Sequence, residues 1–125
     1  MDVLVLNAGV NAHFKFDELE DLDIVEDLMR TNYYANVYLT RFAVQHLKKS
    51  AGQVLVVSSM SGKVGTPQRS AYCASKFALG GFFDALRTED LGIDITVVYP
   101  PSLDTPMRSH DILALKHPEH SHPLK

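Results

Sequence analysis

Cysteine and long apolar runs are scarce in this sequence, and tryptophan is absent. The single Cys73 excludes an internal disulfide framework and favours a reducing compartment, so a cytoplasmic location is expected. No apolar run approaches the roughly 18 residues that a membrane-spanning helix needs. The few apolar residues after Met1 do not resemble a signal peptide. The pattern leaves open a membrane anchor in a longer parent chain.

The sequence also has no large excess of either positive or negative charge. The chain has 12 Lys and Arg against 15 Asp and Glu, which gives a net charge of -3 and a pI near 6.0. This balance argues against nucleic acid or an anionic membrane as the main partner. With 125 residues, 46% of them hydrophobic, the chain is long enough for one domain with its own core.

Short apolar runs alternate with segments of helical periodicity. Continuous apolar residues at Val3–Leu6 and 54–57 are typical of strands buried on both faces, and residues 93–98 indicate a third strand. Between them, apolar residues recur at helical spacing over residues 23–49 and 68–91. The alternation predicts an α/β fold with right-handed crossovers and three parallel strands.

The end of the chain differs in composition from the rest. Prolines and polar residues crowd together there, which predicts a loose tail over residues 108–125. Histidines also cluster in this region, at His110, His117, His120 and His122. His-x-His spacing can bind a transition metal, but the interleaved prolines and the lack of a structured scaffold favour adventitious binding. No metal site is predicted.

Tyr72 and Lys76 are the residues that indicate chemistry. They stand four positions apart in the second predicted helix, and therefore lie on one face, one turn apart. A free phenol has a pKa of about 10 and is a poor acid-base group at neutral pH. A neighbouring ammonium favours the phenolate, which suits proton exchange with an alcohol or a carbonyl.

A serine pair closes the second predicted strand. Ser59 could hydrogen-bond the same substrate oxygen as Tyr72, whereas alternation along the strand turns Ser58 to the other side. A Tyr-x-x-x-Lys pattern alone is a weak signal, so its surroundings decide its meaning.

Four motifs in order give the chain a resemblance to the short-chain dehydrogenase/reductase family. They are Asn7-Ala8-Gly9, Met29-Arg30-Thr31-Asn32, Ser58-Ser59 followed by Tyr72 and Lys76, and Pro100-Pro101-Ser102-Leu103-Asp104-Thr105. The resemblance covers residues 1–107, and residues 72–91 are most similar to the hydroxysteroid-dehydrogenase-like members. It implies a partial Rossmann-like doubly wound fold in which residues 1–107 form the C-terminal, catalytic part.

The family's Gly-rich turn, which binds the cofactor pyrophosphate at a helix N-terminus, has no counterpart in this sequence. None of the seven glycines stands in a Gly-x-x-x-Gly-x-Gly or Gly-x-Gly-x-x-Gly pattern. The resemblance therefore implies a shortened oxidoreductase whose activity on its own stays open. The alternative is a non-catalytic module that heterodimerises with a full-length relative.

The resemblance also implies roles for individual residues. The cofactor is NAD or NADP and the substrate a carbonyl or alcohol, steroid-like or lipid. Tyr72 exchanges the substrate proton, Lys76 assists it and holds the nicotinamide ribose, Ser59 orients the substrate oxygen, and Asn32 completes a proton relay. Cofactor contacts are implied at Asn7, Ala8, Gly9, Tyr72, Lys76, Pro100, Leu103 and Thr105. Proline at position 101, where the family has glycine, is expected to alter the floor of the cofactor pocket.

Family members usually pair through their two long helices. The resemblance implies a homodimer or homotetramer through residues 23–49 and 68–91. The aromatic residues expected at that interface are Tyr34, Tyr38, Phe42, Phe77, Phe82 and Phe83. Asn36 is expected at the surface or in the interface. Gly80 and Gly81 are expected to permit a close approach of the helix to another helix or to the sheet, because glycine inside a helix costs about 1 kcal/mol relative to alanine and so needs a packing reason.

Overall fold

The computed structural model describes residues 1–102 and 111–116, and its centre is a three-stranded parallel sheet. The strands, in the order β1-β2-β3, are β1 (Val3–Leu6), β2 (Gln53–Val57) and β3 (Asp94–Val98). In register, Val3 lies opposite Gln53, which in turn lies opposite Asp94. The predicted α/β class and the parallel arrangement are confirmed.

The connection between β1 and β2 is one long helical segment with a π-helical centre. It consists of α1 (Asp23–Met29), a π segment (Arg30–Tyr34) and α2 (Ala35–Lys48), with right-handed helical backbone angles through both junctions. A π turn inserts one extra residue into the helix and changes the phase of every side chain that follows. The sequence predicted a helix over residues 23–49 but not this bulge.

The connection between β2 and β3 is α3 (Ser70–Leu86), which continues into a 3₁₀ turn at Arg87–Glu89. The chain then leaves the helix through Asp90 and Gly92, whose φ angles are +48° and +68°. The α-helix ends at Leu86, before the predicted limit at residue 91. Of the two residues with positive φ, only Gly92 adopts such an angle without steric cost.

Two apolar clusters hold the layers together. The first joins the sheet to α2 and α3, with Leu47, Val56 and Phe83 fully buried in it. Phe83 is therefore a core residue and not the interface residue that was expected, because its position turns it towards the sheet. The second cluster lies around Tyr72 and includes Phe14, Ile24, Leu28 and Leu113.

Residues 111–116 differ from the loose tail that composition predicted. Asp111 forms a bridge with Asn11, and α4 (Ile112–Lys116) packs Leu113 into the second cluster. Ile112 and Leu113 are the apolar residues of α4 that pack in this cluster, and an average over the composition of the tail does not reveal them. The four clustered histidines lie outside the described residues.

Glycine serves a packing role at one of the two adjacent positions in α3. A Cβ atom at Gly80 would lie 2.8 Å from the hydroxyl of Tyr99, so the expected close approach is present there. A Cβ atom at Gly81 would meet no neighbour within 4 Å, so the same explanation is wrong for that residue. Within the described residues, no helix has the length and apolar character needed to cross a membrane.

Candidate active site

Helix α3 places Tyr72 and Lys76 on one buried face. The nitrogen of the Lys76 ammonium lies 5.9 Å from the centre of the Tyr72 ring and donates a hydrogen bond to the carbonyl of Val57 at 3.3 Å. Only 3% of Lys76 is exposed, and this burial lowers the pKa of its ammonium from 10.5 to about 8. The helical spacing has brought the two predicted residues together in a site of low polarity.

The serines that follow β2 separate into two roles. Ser59 is extended and half-buried, and its hydroxyl oxygen accepts a hydrogen bond from the Ser61 N–H at 3.2 Å. That bond leaves the hydroxyl hydrogen as the group that Ser59 can offer a substrate. Ser58 is buried and donates to the backbone carbonyl of Lys76 at 3.4 Å. Ser58 thus fixes the strand end against α3, and Ser59 caps the next turn.

Asn32 is fully buried, and its side chain hydrogen-bonds to the loop that follows β1. Its Oδ1 accepts from the N–H of Val10 at 2.8 Å, and its Nδ2 donates to the carbonyl of Val10 at 2.9 Å and to the hydroxyl of Ser75 at 3.0 Å. Ser75 in turn donates to the carbonyl of Tyr72 at 2.7 Å. The amide of Asn32 therefore connects the loop to the helix that carries the tyrosine. Its role in a proton relay stays a prediction.

Asn36 is 2% exposed, so its expected place at the surface or in an interface is wrong. Its Nδ2 donates to the backbone carbonyl of Asn32 at 2.8 Å. The π segment explains the burial, because the extra residue rotates Asn36 inward. Thr40 repeats the pattern, donating to the carbonyl of Asn36 at 2.8 Å.

Four of the predicted cofactor contacts, namely Asn7, Ala8, Gly9 and Pro100, lie past the carboxyl ends of β1 and β3. Asn7 and Ala8 are exposed and Gly9 is half-buried beyond β1. Pro100 follows β3 and accepts from the N–H of Met60 at 3.0 Å, which ties the third strand end to the second. Open α/β sheets bind ligands at this edge. Leu103 and Thr105, also predicted, lie outside the described residues.

Sequence reasoning missed Arg69 and Asn11. The guanidinium carbon of Arg69 lies 4.7 Å from the centre of the Tyr72 ring, and its Nη2 donates to Oδ1 of Asn11 at 2.7 Å. A basic residue three positions before a helical tyrosine is a signal that could have indicated the first contact. Nothing local indicates the second, because 58 positions separate the two residues.

Known proteins share sequence similarity with most of this chain. The family model described as short chain dehydrogenase matches residues 1–114. Dehydrogenase/reductase SDR family protein 7-like of Dictyostelium discoideum is 41% identical over 101 residues, which cover 80% of this chain and 32% of that protein. The 11-beta-hydroxysteroid dehydrogenase-like 6 of Arabidopsis thaliana is 40% identical over 110 residues, or 86% of this chain and 32% of that protein.

A solved structure extends the likeness to the backbone. The short chain dehydrogenase from Burkholderia cenocepacia J2315 in complex with NADP matches with a TM-score of 0.80 and 27% identity, over 86% of this chain and 46% of that one. The chain spans about a third of the length of the two relatives named above. On the matched residues and the shared fold, the chain belongs to the short chain dehydrogenase family.

Proposed function

We propose that this chain carries the catalytic half of an oxidoreductase that uses NAD or NADP to interconvert a carbonyl and an alcohol. The observation that carries the proposal is the buried ammonium of Lys76, one helical turn from Tyr72. Burial of an ammonium disfavours its charged form, and ionisable groups perturbed in this way cluster at functional sites.

The residues present fit the nicotinamide side of such a cofactor. An ammonium has three donors, and Lys76 gives one to Val57, so donors remain for ribose hydroxyls. Asn7 and Ala8 are exposed at the neighbouring strand end, where they can contact the same half of the molecule. When bound, the cofactor supplies or accepts the hydride.

The chain's own residues handle the proton and the substrate oxygen. The hydroxyl of Tyr72 gives its proton to the oxygen of a carbonyl substrate, or takes one from an alcohol. The ammonium of Lys76 favours the phenolate, and the hydroxyl of Ser59 hydrogen-bonds the same oxygen. The backbone carbonyl of Asn32, which accepts the bond from the Asn36 side chain, is the group through which a relay water would connect Lys76 to solvent.

A steroid-like or other lipid substrate belongs to the same proposal. The name of the Arabidopsis relative supports it, and so does the apolar cluster that surrounds Tyr72. A cytoplasmic location also belongs to it, since the one cysteine is a free thiol.

The test joins this chain to the Gly-rich dinucleotide-binding half of a relative and measures carbonyl-dependent oxidation of NADPH and NADH. We expect turnover from the joined protein and weak or absent cofactor binding by the chain alone, since its sequence has no pyrophosphate-binding turn. A joined protein that folds and binds cofactor, yet turns over none of a panel of carbonyls, contradicts the proposal.

A second function, assembly, is favoured by the exposed aromatic faces of α2 and α3. Tyr38, Phe42 and Phe77 are all exposed, and Phe42 is 78% exposed. Apolar patches of this kind mark association sites. We propose that these faces pair in a homodimer or homotetramer, or in a heterodimer with a longer relative if the chain acts as a non-catalytic module.

A further inference from the structure

Tyr72 has a second cation at its ring, which the proposed reaction does not use. Arg69 immediately precedes α3, and its guanidinium carbon lies 4.7 Å from the ring centre. The corresponding distance for the Lys76 nitrogen is 5.9 Å. Both distances are within the range of a cation–π contact, and Arg69 is the closer of the two cations.

The guanidinium of Arg69 is held in its position. Its Nη2 donates to the side-chain oxygen of Asn11 at 2.7 Å, and Asn11 is only 1% exposed. The preceding residue, Gln68, accepts from the N–H of Phe14 at 2.9 Å, so the chain before α3 is attached twice to the loop after β1. The Nε of Arg69 is buried without a hydrogen-bond partner. Since an unpaired buried donor costs free energy, the Asn11 bond and the ring contact must offset that cost.

Three other charged groups make their contacts away from Tyr72. His13 pairs with Asp111, Asp27 pairs with Lys116, and Lys63 lies over the ring of Tyr99. The side chains that share the cluster with Tyr72 are apolar. Among the described charged residues, the two with a cation–π contact to this ring are therefore Arg69 and Lys76.

We propose that Arg69 is a positioning residue for Tyr72: anchored by Asn11, its guanidinium fixes the tyrosine ring and stabilises its phenolate form. The stabilisation follows from charge, because a cation beside a ring attracts the ionised phenol more strongly than the neutral one. The consequence for turnover rests on the proposed oxidoreductase function, whereas the contact itself does not.

The two cations differ in the pH range over which they act. Burial lowers the pKa of Lys76 to about 8, so its ammonium has lost most of its charge before the pH reaches about 10, where phenols ordinarily ionise. A guanidinium stays protonated throughout that range. In the chain without cofactor, Arg69 therefore remains the constant positive charge at the ring while Lys76 becomes neutral.

The test follows Tyr72 itself in the full chain. The ζ carbon of tyrosine is labelled with ¹³C, and the signal of Tyr72 is the one that disappears in Tyr72→Phe. Its chemical shift is then measured against pH in the native chain, in Arg69→Met and in Arg69→Lys. We expect the midpoint to move to higher pH by roughly half a unit or more in Arg69→Met, and Arg69→Lys to recover part of that change.

Two further variants make the result specific. Arg87→Met removes an exposed arginine that pairs with Asp84 at the other end of α3, and its midpoint should be unchanged. Asn11→Ala leaves Arg69 in the chain without its anchor, so a smaller change in the same direction is expected. The same midpoint in the native chain and in folded Arg69→Met overturns the proposal. If Arg69→Met does not fold, an unchanged midpoint in Asn11→Ala overturns it.

The readout does not require turnover. If the midpoint of Tyr72 changes but the chain joined to a cofactor-binding half is inactive, the role of Arg69 stands and the oxidoreductase function is rejected. An unchanged midpoint in a protein that turns over when so joined rejects the role of Arg69 alone.

Discussion

The side chain of Asn32 pairs with both backbone groups of Val10, as a neighbouring strand would. It accepts the N–H at 2.8 Å and donates to the carbonyl at 2.9 Å. Among the described residues, no strand pairs with the loop after β1 at Val10, so the amide satisfies partly buried backbone groups that would otherwise lack a partner. A family motif residue thus has a structural role that is independent of any proton relay.

Asn32→Asp should destabilise the fold strongly. The substitution replaces two donated hydrogen bonds with a buried carboxylate that faces the Val10 carbonyl and the Ser75 hydroxyl. We expect the free energy of unfolding to fall by roughly 2–4 kcal/mol in urea denaturation. The matched control is the same change at exposed Asn7, which should alter stability by less than about 0.5 kcal/mol. Equal stability of the two variants would contradict the structural role of the Asn32 side chain.

Lys76→Met should stabilise the chain at neutral pH. The pKa of the folded ammonium is about 8 and its ordinary value is 10.5, so between these values the unfolded chain holds a proton that the folded chain has released. The free energy of unfolding therefore rises with pH across this window, and the full penalty is present below it. Replacement by the uncharged methionine should raise the free energy of unfolding by on the order of 3 kcal/mol near pH 7. It should also remove the increase of that free energy at alkaline pH.

Urea unfolding at neutral pH and near pH 10 measures both effects. Lys49→Met, at an exposed lysine past the end of α2, is the control and should show neither. If the Lys76→Met chain is less stable than the native chain at neutral pH, the buried ammonium does not destabilise the fold.

Motifs located the site from sequence because they are local. The spacing of Tyr72 and Lys76 on one helix, and the place of Ser59 at a strand end, follow from helix and strand periodicity. Periodicity treats a helix as uniform, so it could not show the π segment or the inward turn of Asn36. The Arg69–Asn11 contact joins distant segments and exists only in the folded chain.

Tyr72→Phe should separate chemistry from binding in the protein joined to a dinucleotide-binding half. The substitution deletes the proton-exchanging oxygen and keeps the buried ring, so turnover should fall by roughly 10²–10⁴-fold with cofactor affinity nearly unchanged. Lys76→Ala should lower both turnover and affinity, because the proposed function gives its ammonium two roles, beside the phenol and at the ribose. Steady-state kinetics and titration of NADPH measure the two effects. Unchanged turnover in Tyr72→Phe would remove the tyrosine from its role.

The packing of α4 against the second cluster should weaken at low pH. Burial acts to raise the pKa of Asp111, but hydrogen bonds from the His13 ring and from the N–H groups of Leu113 and His13 together hold it below the ordinary value of 3.8. A carboxylate with a lowered pKa stabilises the folded state above its ordinary pKa, and that contribution is lost as the pH falls through the native value. The protection of the amides of residues 112–116, relative to their intrinsic exchange rates at each pH, should therefore fall in acid before protection in the sheet does.

Asp111→Asn should make that exchange fast already at neutral pH, while the amide of Val56 in the sheet stays protected. Asp94→Asn, the same change at an exposed position on β3, should leave α4 protected. Equal protection of α4 in the native chain and in Asp111→Asn would show that Leu113 alone holds the helix.

The exposed aromatic faces of α2 and α3 should make the chain dimeric or larger at micromolar concentration. Phe42 is 78% exposed and Tyr38 stacks on Tyr34 beside it, so a partner helix could bury a continuous aromatic surface. Phe42→Glu places a charge in that surface and should shift sedimentation towards monomer. Leu115→Glu, at an equally apolar exposed position on α4, should not. A single monomeric species for the native chain, or dissociation by Leu115→Glu in place of Phe42→Glu, would show that these faces do not pair.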